Sequence, residues 1–531
     1  MIRIITSLVA VLTVASIQSQ TTLRETPKLV IGITIDQLRS DYLELFRHSF
    51  GERGFQRLLN EGLVYQNMAF DFPNLNEASS IATIYTGTSP FYHGIIGSKV
   101  YLPDKVQESS IFQDDAFLGN YTKDKLSPKA LQVGTITDEL KIATQGKADI
   151  FALAPNSYQA LASAGHMANG AYWIEDYTGK WATSTYYKDF HWTVDQENRS
   201  NIYSNSIDAI VWQPSLSSDR YNRFPYGNNN QVFSHQFSQN TNPYILLKQS
   251  PYINENITRT TIKLMEKNAM GKRTNPDFLA ITYYAGDYSE TSTGDYSLEV
   301  QDTYARLDKN IATLLDEVEK TVGLNNTFIF VTSTGYYDSN SQYPDNMPVA
   351  PGNFYPKRCE ALLNMYLMAI YGKEQWVEGY YNQQIYLNRK LIESRNINLE
   401  EIQNKAAEFV VQFTGVQDAA TSIQLLTGKV NSNMMRYRDI VNKERSGDIL
   451  IQIQPGYQIV FENETNTEEQ VRPKIQRETA IESPVIFFGN SIKAEKIKRT
   501  VKATEIAPTV CRILRIRSPN AAKEQALPEL F

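Results

Sequence analysis

Histidine is scarce in this chain, and it stops early. His48, His93, His166, His191 and His235 are the only histidines among 531 residues. No imidazole is therefore available as a metal ligand or base from the second half. Cysteine is scarcer still, with only Cys359 and Cys511. Two thiols so far apart do not make a disulfide framework. Both are expected as buried free thiols, because unpaired cysteine is among the most buried residue types. There is no basic excess: the net charge is −6 and the isoelectric point about 5.6. That argues against a nucleic-acid partner, which usually needs a basic face. Past the N-terminal leader no stretch reaches the roughly 18 apolar residues of a membrane-spanning helix, so no transmembrane segment is expected in the mature chain.

The leader, residues 1–19, reads as an export signal. Arg3 supplies the positive end, Ile4 to Ile17 the apolar core, and Ser16, Ser19 and Gln20 lie near a cleavage point. No cysteine stands there to carry a lipid anchor. Aromatic residues, by contrast, are abundant: the 32 tyrosines favour long contact-bearing loops.

The stretch that organises the rest is Lys28-Leu-Val-Ile-Gly-Ile-Thr-Ile-Asp36. An apolar run of strand length suits a central parallel strand covered on both faces. Ligands bind at the carboxyl ends of such strands, so Asp36 is a candidate ligand or acid/base group. Its structural alternative is a strand-end Asp that caps the next helix.

Strand and helix patterns then alternate. Helices are expected over 41–61, from Glu77 to Thr86, over 133–144 and from Leu298 to Val322. Strands are expected over 62–70, 148–154, 277–284, 327–332 and 484–489. Repeated β-then-α order predicts a mostly parallel sheet flanked by helices. Two segments break this rhythm. Residues 167–275, rich in Tyr, Trp, Asn and Ser, read as cap insertion 1. Residues 336–470, with helices near 387–413 and the strand-like run 448–454, read as cap insertion 2. The core is then 27–166, 276–335 and 471–531.

The motifs Val30-Ile-Gly-Ile-Thr-Ile-Asp36, Ile84-Tyr-Thr-Gly87, His93-Gly-Ile-Ile-Gly97, Ser163-Ala-Gly-His166 and Gly170-Ala-Tyr-Trp173 carry a resemblance. So do Asp287-Tyr288, Asp302 to Asp308, Arg445-Ser-Gly-Asp448, Gln454-Pro-Gly456 and Thr504 to Thr509. Together, in this order, they resemble the alkaline phosphatase superfamily, in its secreted bacterial branch of phosphate-irrepressible monoesterases akin to nucleotide pyrophosphatase/phosphodiesterases. The resemblance implies an α/β, alkaline phosphatase-like fold with two large cap insertions. It also implies export to the periplasm or cell surface of a Gram-negative bacterium.

Members resembling this chain hydrolyse phosphate esters with two zinc ions and a Thr or Ser nucleophile. The metals hold the attacking and leaving oxygens of an in-line displacement, and His and Asp normally bind them. Carried over position by position, Asp36 and Asp287 match metal carboxylates. The nucleophile position holds Glu77, and the phosphate-contacting Asn is Ser98. The His after Asp287 is Thr291, the Asp-His pair is Ser333 and Thr334, and the last His falls near Pro473. The Lys/Arg clamp falls on Asn156 and Tyr158. The resemblance thus implies a pseudoenzyme with no catalytic residues, no metal and no zinc cofactor. His93 and His166, although in matched motifs, are expected to be hydrogen-bonded structural groups. A carboxylate at a helix N-terminus is stabilised by the helix dipole; Glu77 would fill the oxyanion's place.

Two functions follow as expectations. The first is an inactive binding or scaffold component of an envelope protein complex, with the caps supplying contacts. The second is a hydrolase with a rebuilt site, in which Asp36, Glu77 and Asp287 hold a single Ca²⁺ or Mg²⁺.

Overall fold

The apolar run is a strand, β1 (Leu29–Asp36), buried along its whole length. A computed structural model of the protein describes residues 25–73, 75–102, 107–188, 190–222, 232–286, 288, 297–337, 352–461, 474–475 and 481–531. The expected leader lies outside them. The other main strands are β2 (Leu63–Ala69), β3 (Ile150–Ala154), β4 (Gly170–Ile174), β5 (Trp181–Ser184), β6 (Asp277–Tyr284), β7 (Thr327–Ser333) and β8 (Ser483–Gly489). They line up as β2-β8-β7-β1-β6-β3-β4-β5, with β8 and β5 antiparallel to their neighbours and the rest parallel. The register pairs Asp36 with Tyr284, and Ile35 with Ser333. The carboxyl ends of β1, β6 and β7 therefore form one edge.

Alternation along β1 divides the core. On one face Ile31, Ile33 and Ile35 pack with α3 (Pro251–Lys267) and α4 (Leu298–Thr321), through residues such as Ile257, Tyr304, Leu307 and Ile311. On the other, Val30 joins Phe278 and Phe330 under α1 (Glu77–Thr86) and α2 (Ser157–Ala164). Gly32 lets α1 come close. A Cβ there would stand 2.4 Å from Phe330 Cζ and 2.7 Å from the Tyr85 hydroxyl, which donates to the Gly32 carbonyl at 3.4 Å. Gly32→Ala is expected to cost about 2–3 kcal/mol through overpacking, read as a lower urea midpoint; an unchanged midpoint would contradict this packing.

One expected helix differs. The helix over 41–61 is broken into Ser40–Leu45, a short turn and Phe55–Glu61. The break is held from α4: Asp308 accepts the N–H groups of Gly51 and Phe55, both at 2.7 Å. Its carboxylate occupies the space beside Gly54 where a Cβ would fall. The helices expected near 387–413 are present as Arg389–Ser394 and Leu399–Val410, after the strand Gln384–Leu387.

The boundary of the first insertion is corrected more substantially. Residues 167–275 are not all cap: β4 and β5 extend the central sheet, and α3 covers one face of it. Both strands are short, and their Tyr and Trp side chains are buried in the core. A lobe proper is centred on Trp212, Phe233, Phe237 and Tyr288.

Residues 352–461 carry a four-stranded sheet in the order Val377–Tyr381, Gln384–Leu387, Ile449–Ile453, Val416–Thr421. Leu363 and Leu367 of α5 (Pro356–Tyr371), with Trp376 and Ile402, give this lobe its own core. It meets the main domain where Phe72 packs with Ala420, Leu425 and Leu450. That places it over the carboxyl end of β2. Cys359 and Cys511 are both free and buried, as expected; burial pushes both thiols up, Cys359 to about 12.

Candidate functional site

At the end of β1 the Asp36 carboxylate is buried and accepts a hydrogen bond from the Thr334 hydroxyl at 2.8 Å. Thr334 Oγ1 in turn accepts the Gln37 N–H at 3.3 Å. Gln37 sits at φ +62°, a left-handed conformation that a residue of its kind seldom adopts. Ser333, also fully buried, turns away from the carboxylate: it donates to the Leu38 carbonyl at 2.7 Å and accepts the Gly335 N–H at 3.1 Å. Of the two hydroxyls at the Asp-His positions, one holds Asp36 and the other closes the turn after β1.

Glu77 is the first residue of α1, next to the N-cap Asn76. Asn76 Oδ1 accepts the Ser79 N–H at 2.9 Å, and its amide donates to the Ile96 carbonyl at 3.1 Å. One side chain thus ties the helix start to the Gly94–Gly97 loop. The hairpin tip of the second lobe comes over this corner. Burial raises the Tyr381 phenol above its usual range, and the nearby Glu108 and Glu77 charges raise it further. Sequence reasoning missed Tyr381; only its place at a hairpin before Asn382-Gln383, both at positive φ, could have pointed to it.

Ser98, Asn156 and Tyr158 come together on the wall of one cleft of about 1000 Å³. The Asn156 amide donates to the Tyr158 hydroxyl at 3.2 Å. Its backbone N–H donates to Gln159 Oε1 at 3.1 Å in the capping box of α2. Asp287 and Thr291, and the last His position at Pro473, lie outside the described residues. Among the described residues, no group of three or more His, Cys, Asp or Glu side chains could hold a metal ion.

The two histidines of the matched motifs are engaged by the protein itself. His93 is fully buried; its Nε2 meets Thr83 Oγ1 at 3.0 Å and its Nδ1 accepts the Ile95 N–H at 3.0 Å. Burial, with the Arg445 charge added, depresses its pKa to about 3, so the ring is neutral. His166 Nδ1 meets Asp138 at 2.9 Å and Nε2 the Leu131 carbonyl at 3.1 Å. Burial alone would lower its pKa, but the Asp138 hydrogen bond and charge carry it above the usual value.

A family model described as "Type I phosphodiesterase / nucleotide pyrophosphatase" matches residues 30–477. The chain belongs to that family. Its fold is alkaline phosphatase-like: the structure of wild-type alkaline phosphatase PafA superposes with a TM-score of 0.82, at 24% identity, covering 95% of this chain and 99% of that one. Alkaline phosphatase PafA of Elizabethkingia meningoseptica is 26% identical over 538 residues, covering 95% of this chain and 94% of that protein. A Myroides odoratus protein named "Calcium-transporting ATPase" is 30% identical over 518 residues, 93% of each chain. The family is one of phosphatase and phosphodiesterase hydrolases. No helix among the described residues is long and apolar enough to cross a membrane.

Proposed function

We propose that this member of the family is a catalytically inactive, exported phosphatase-like protein that works by binding, as a component of an envelope protein complex. One observation carries the reading: the side chains at the family's reactive positions bond to one another and to the backbone. Thr334 donates to Asp36, Ser333 to the Leu38 carbonyl, and Asn156 to Tyr158. The donors do not fit zinc. A tetrahedral zinc site wants imidazole, thiolate or carboxylate ligands, and Ser333 and Thr334 offer hydroxyls already committed to donating. Glu77 has no hydroxyl to be phosphorylated, and Asn156 and Tyr158 lack the cations that would clamp a phosphate dianion. Export is read from the leader.

Exposed aromatics of the first insertion are then the contact surface. Trp192, 56% exposed beside His191, suits that role. Tyr187 does not, because it is buried and donates to the Gly165 carbonyl. Purification from native membranes in mild detergent is expected to bring down a partner in fixed stoichiometry. Glu77→Ala should leave that stoichiometry unchanged, and Trp192→Ala should weaken it about tenfold, as for an aromatic hot spot. Loss of the partner with Glu77→Ala in a folded protein would overturn the reading.

A further inference from the structure

The lining of the cleft that holds Asn156 and Tyr158 has a chemical direction. Among the described residues, its lining carries three lysines, Lys99, Lys123 and Lys248, against three carboxylates, Asp124, Glu175 and Asp176. These described side chains together offer no net charge to an anion. Lys248, the most enclosed of the cations, is spent inside the protein on Asp176 and the Ile174 carbonyl. Glu175 is likewise occupied, closing a turn by accepting from the Tyr177 and Thr178 N–H groups.

What the cleft presents instead is aromatic faces between polar hydrogen-bonding groups. Tyr177 is 76% exposed and Tyr121 is 44% exposed; both line the cavity along with Trp173 and Tyr158. Tyr121 is fixed in place. Its hydroxyl donates to Asp195 at 2.7 Å, and its ring meets the Phe190 ring edge-on with centroids 5.2 Å apart. Its backbone is held at φ +60°, which is uncommon for a bulky side chain. Strain of this kind persists where the surroundings impose it, and it clusters at ligand sites. A rigid, wet-edged ring is a binding surface that costs little side-chain entropy.

We infer that this cleft binds a neutral, polyhydroxylated ligand, an oligosaccharide segment, with Tyr121 and Tyr177 stacking on the apolar faces of sugar rings and Asn156, Tyr158 and Asp124 meeting ring hydroxyls. Flat aromatic faces match the C–H face of a pyranose, and amide, phenol and carboxylate groups match its hydroxyls. The volume suits several rings rather than one phosphate, and it falls at the upper end of the roughly 300–1000 Å³ of ligand pockets. This inference rests on the reading that the chain binds rather than hydrolyses.

The test uses the full mature chain on an array of neutral and acidic oligosaccharides, followed by calorimetry with the strongest binder. Neutral oligosaccharides are expected to bind, and excess inorganic phosphate should not displace them. Tyr177→Ala, a change at an exposed residue, should weaken binding about tenfold, or about 1.4 kcal/mol, with an unchanged melting temperature. Tyr121→Ala should do the same. An array without binders, displacement by phosphate, or indifference to both substitutions would overturn the inference. Ester hydrolysis is assayed on the same sample. Metal-dependent turnover there would overturn the functional reading, whereas a lack of sugar binding without turnover overturns only this one.

Discussion

Asp138→Ala is expected to destabilise the protein by about 4 kcal/mol, the cost of breaking a buried charged pair by removing one partner. The carboxylate is buried and accepts four hydrogen bonds. Thr135 N–H and the His166 ring meet one oxygen at 3.0 and 2.9 Å, and the His166 and Met167 N–H groups meet the other at 2.7 and 2.8 Å. Removing it leaves three backbone donors without their acceptor. It also frees the Gly165–Met167 turn that ends α2, whose first turn carries Tyr158 into the cleft. The turn is already tight: at Gly165, φ +68°, a Cβ would stand 2.2 Å from Thr135 Oγ1. Urea denaturation of the variant measures the loss, and a cost below about 1 kcal/mol, typical of an exposed pair, would contradict this account. The pair also has a pH signature. Because the folded His166 pKa is raised, its contribution is full below the unfolded value of 6.5 and is lost as pH rises through the folded one.

His93 has the opposite sign and the larger reach. Its folded pKa of about 3 lies far below its ordinary 6.5. Between those values the unfolded chain takes up a proton that the folded chain refuses. Stability should therefore fall as pH drops from 6.5, by about 1.4 kcal/mol per unit. His93→Gln, which keeps a donor and an acceptor but cannot titrate, should flatten that part of the profile. Stability is read from urea curves at several pH values between 4 and 7, chosen to span roughly this window. Parallel profiles for the two proteins would show that His93 is not the buried neutral ring described here.

How much of this could be read from sequence depended on how local its cause was. β1 and the position of Asp36 were legible because eight consecutive residues, LVIGITID, bury both faces. The break within residues 41–61 was not, because its cause is Asp308, brought in from α4 some 250 residues away. β4 and β5 hid in an aromatic-rich stretch because strands of five and four residues leave almost no period to detect. At the site, Thr334 donates to Asp36, a contact that a hydroxyl can make with a carboxylate wherever the fold brings the two together. That Ser333 donates to Leu38 instead depends on the turn after β1, where Gln37 takes positive φ. Nothing in the spacing marked Tyr121, since its orientation comes from Asp195 and Phe190.

The most direct test of the central claim is the rate of p-nitrophenyl phosphate and bis(p-nitrophenyl) phosphate hydrolysis by natively purified protein, with zinc supplied and then chelated. No turnover above the uncatalysed background is expected in either condition, and no stoichiometric zinc carried through purification. Chelator-sensitive hydrolysis, with about two zinc ions per chain as a two-metal mechanism requires, would contradict it.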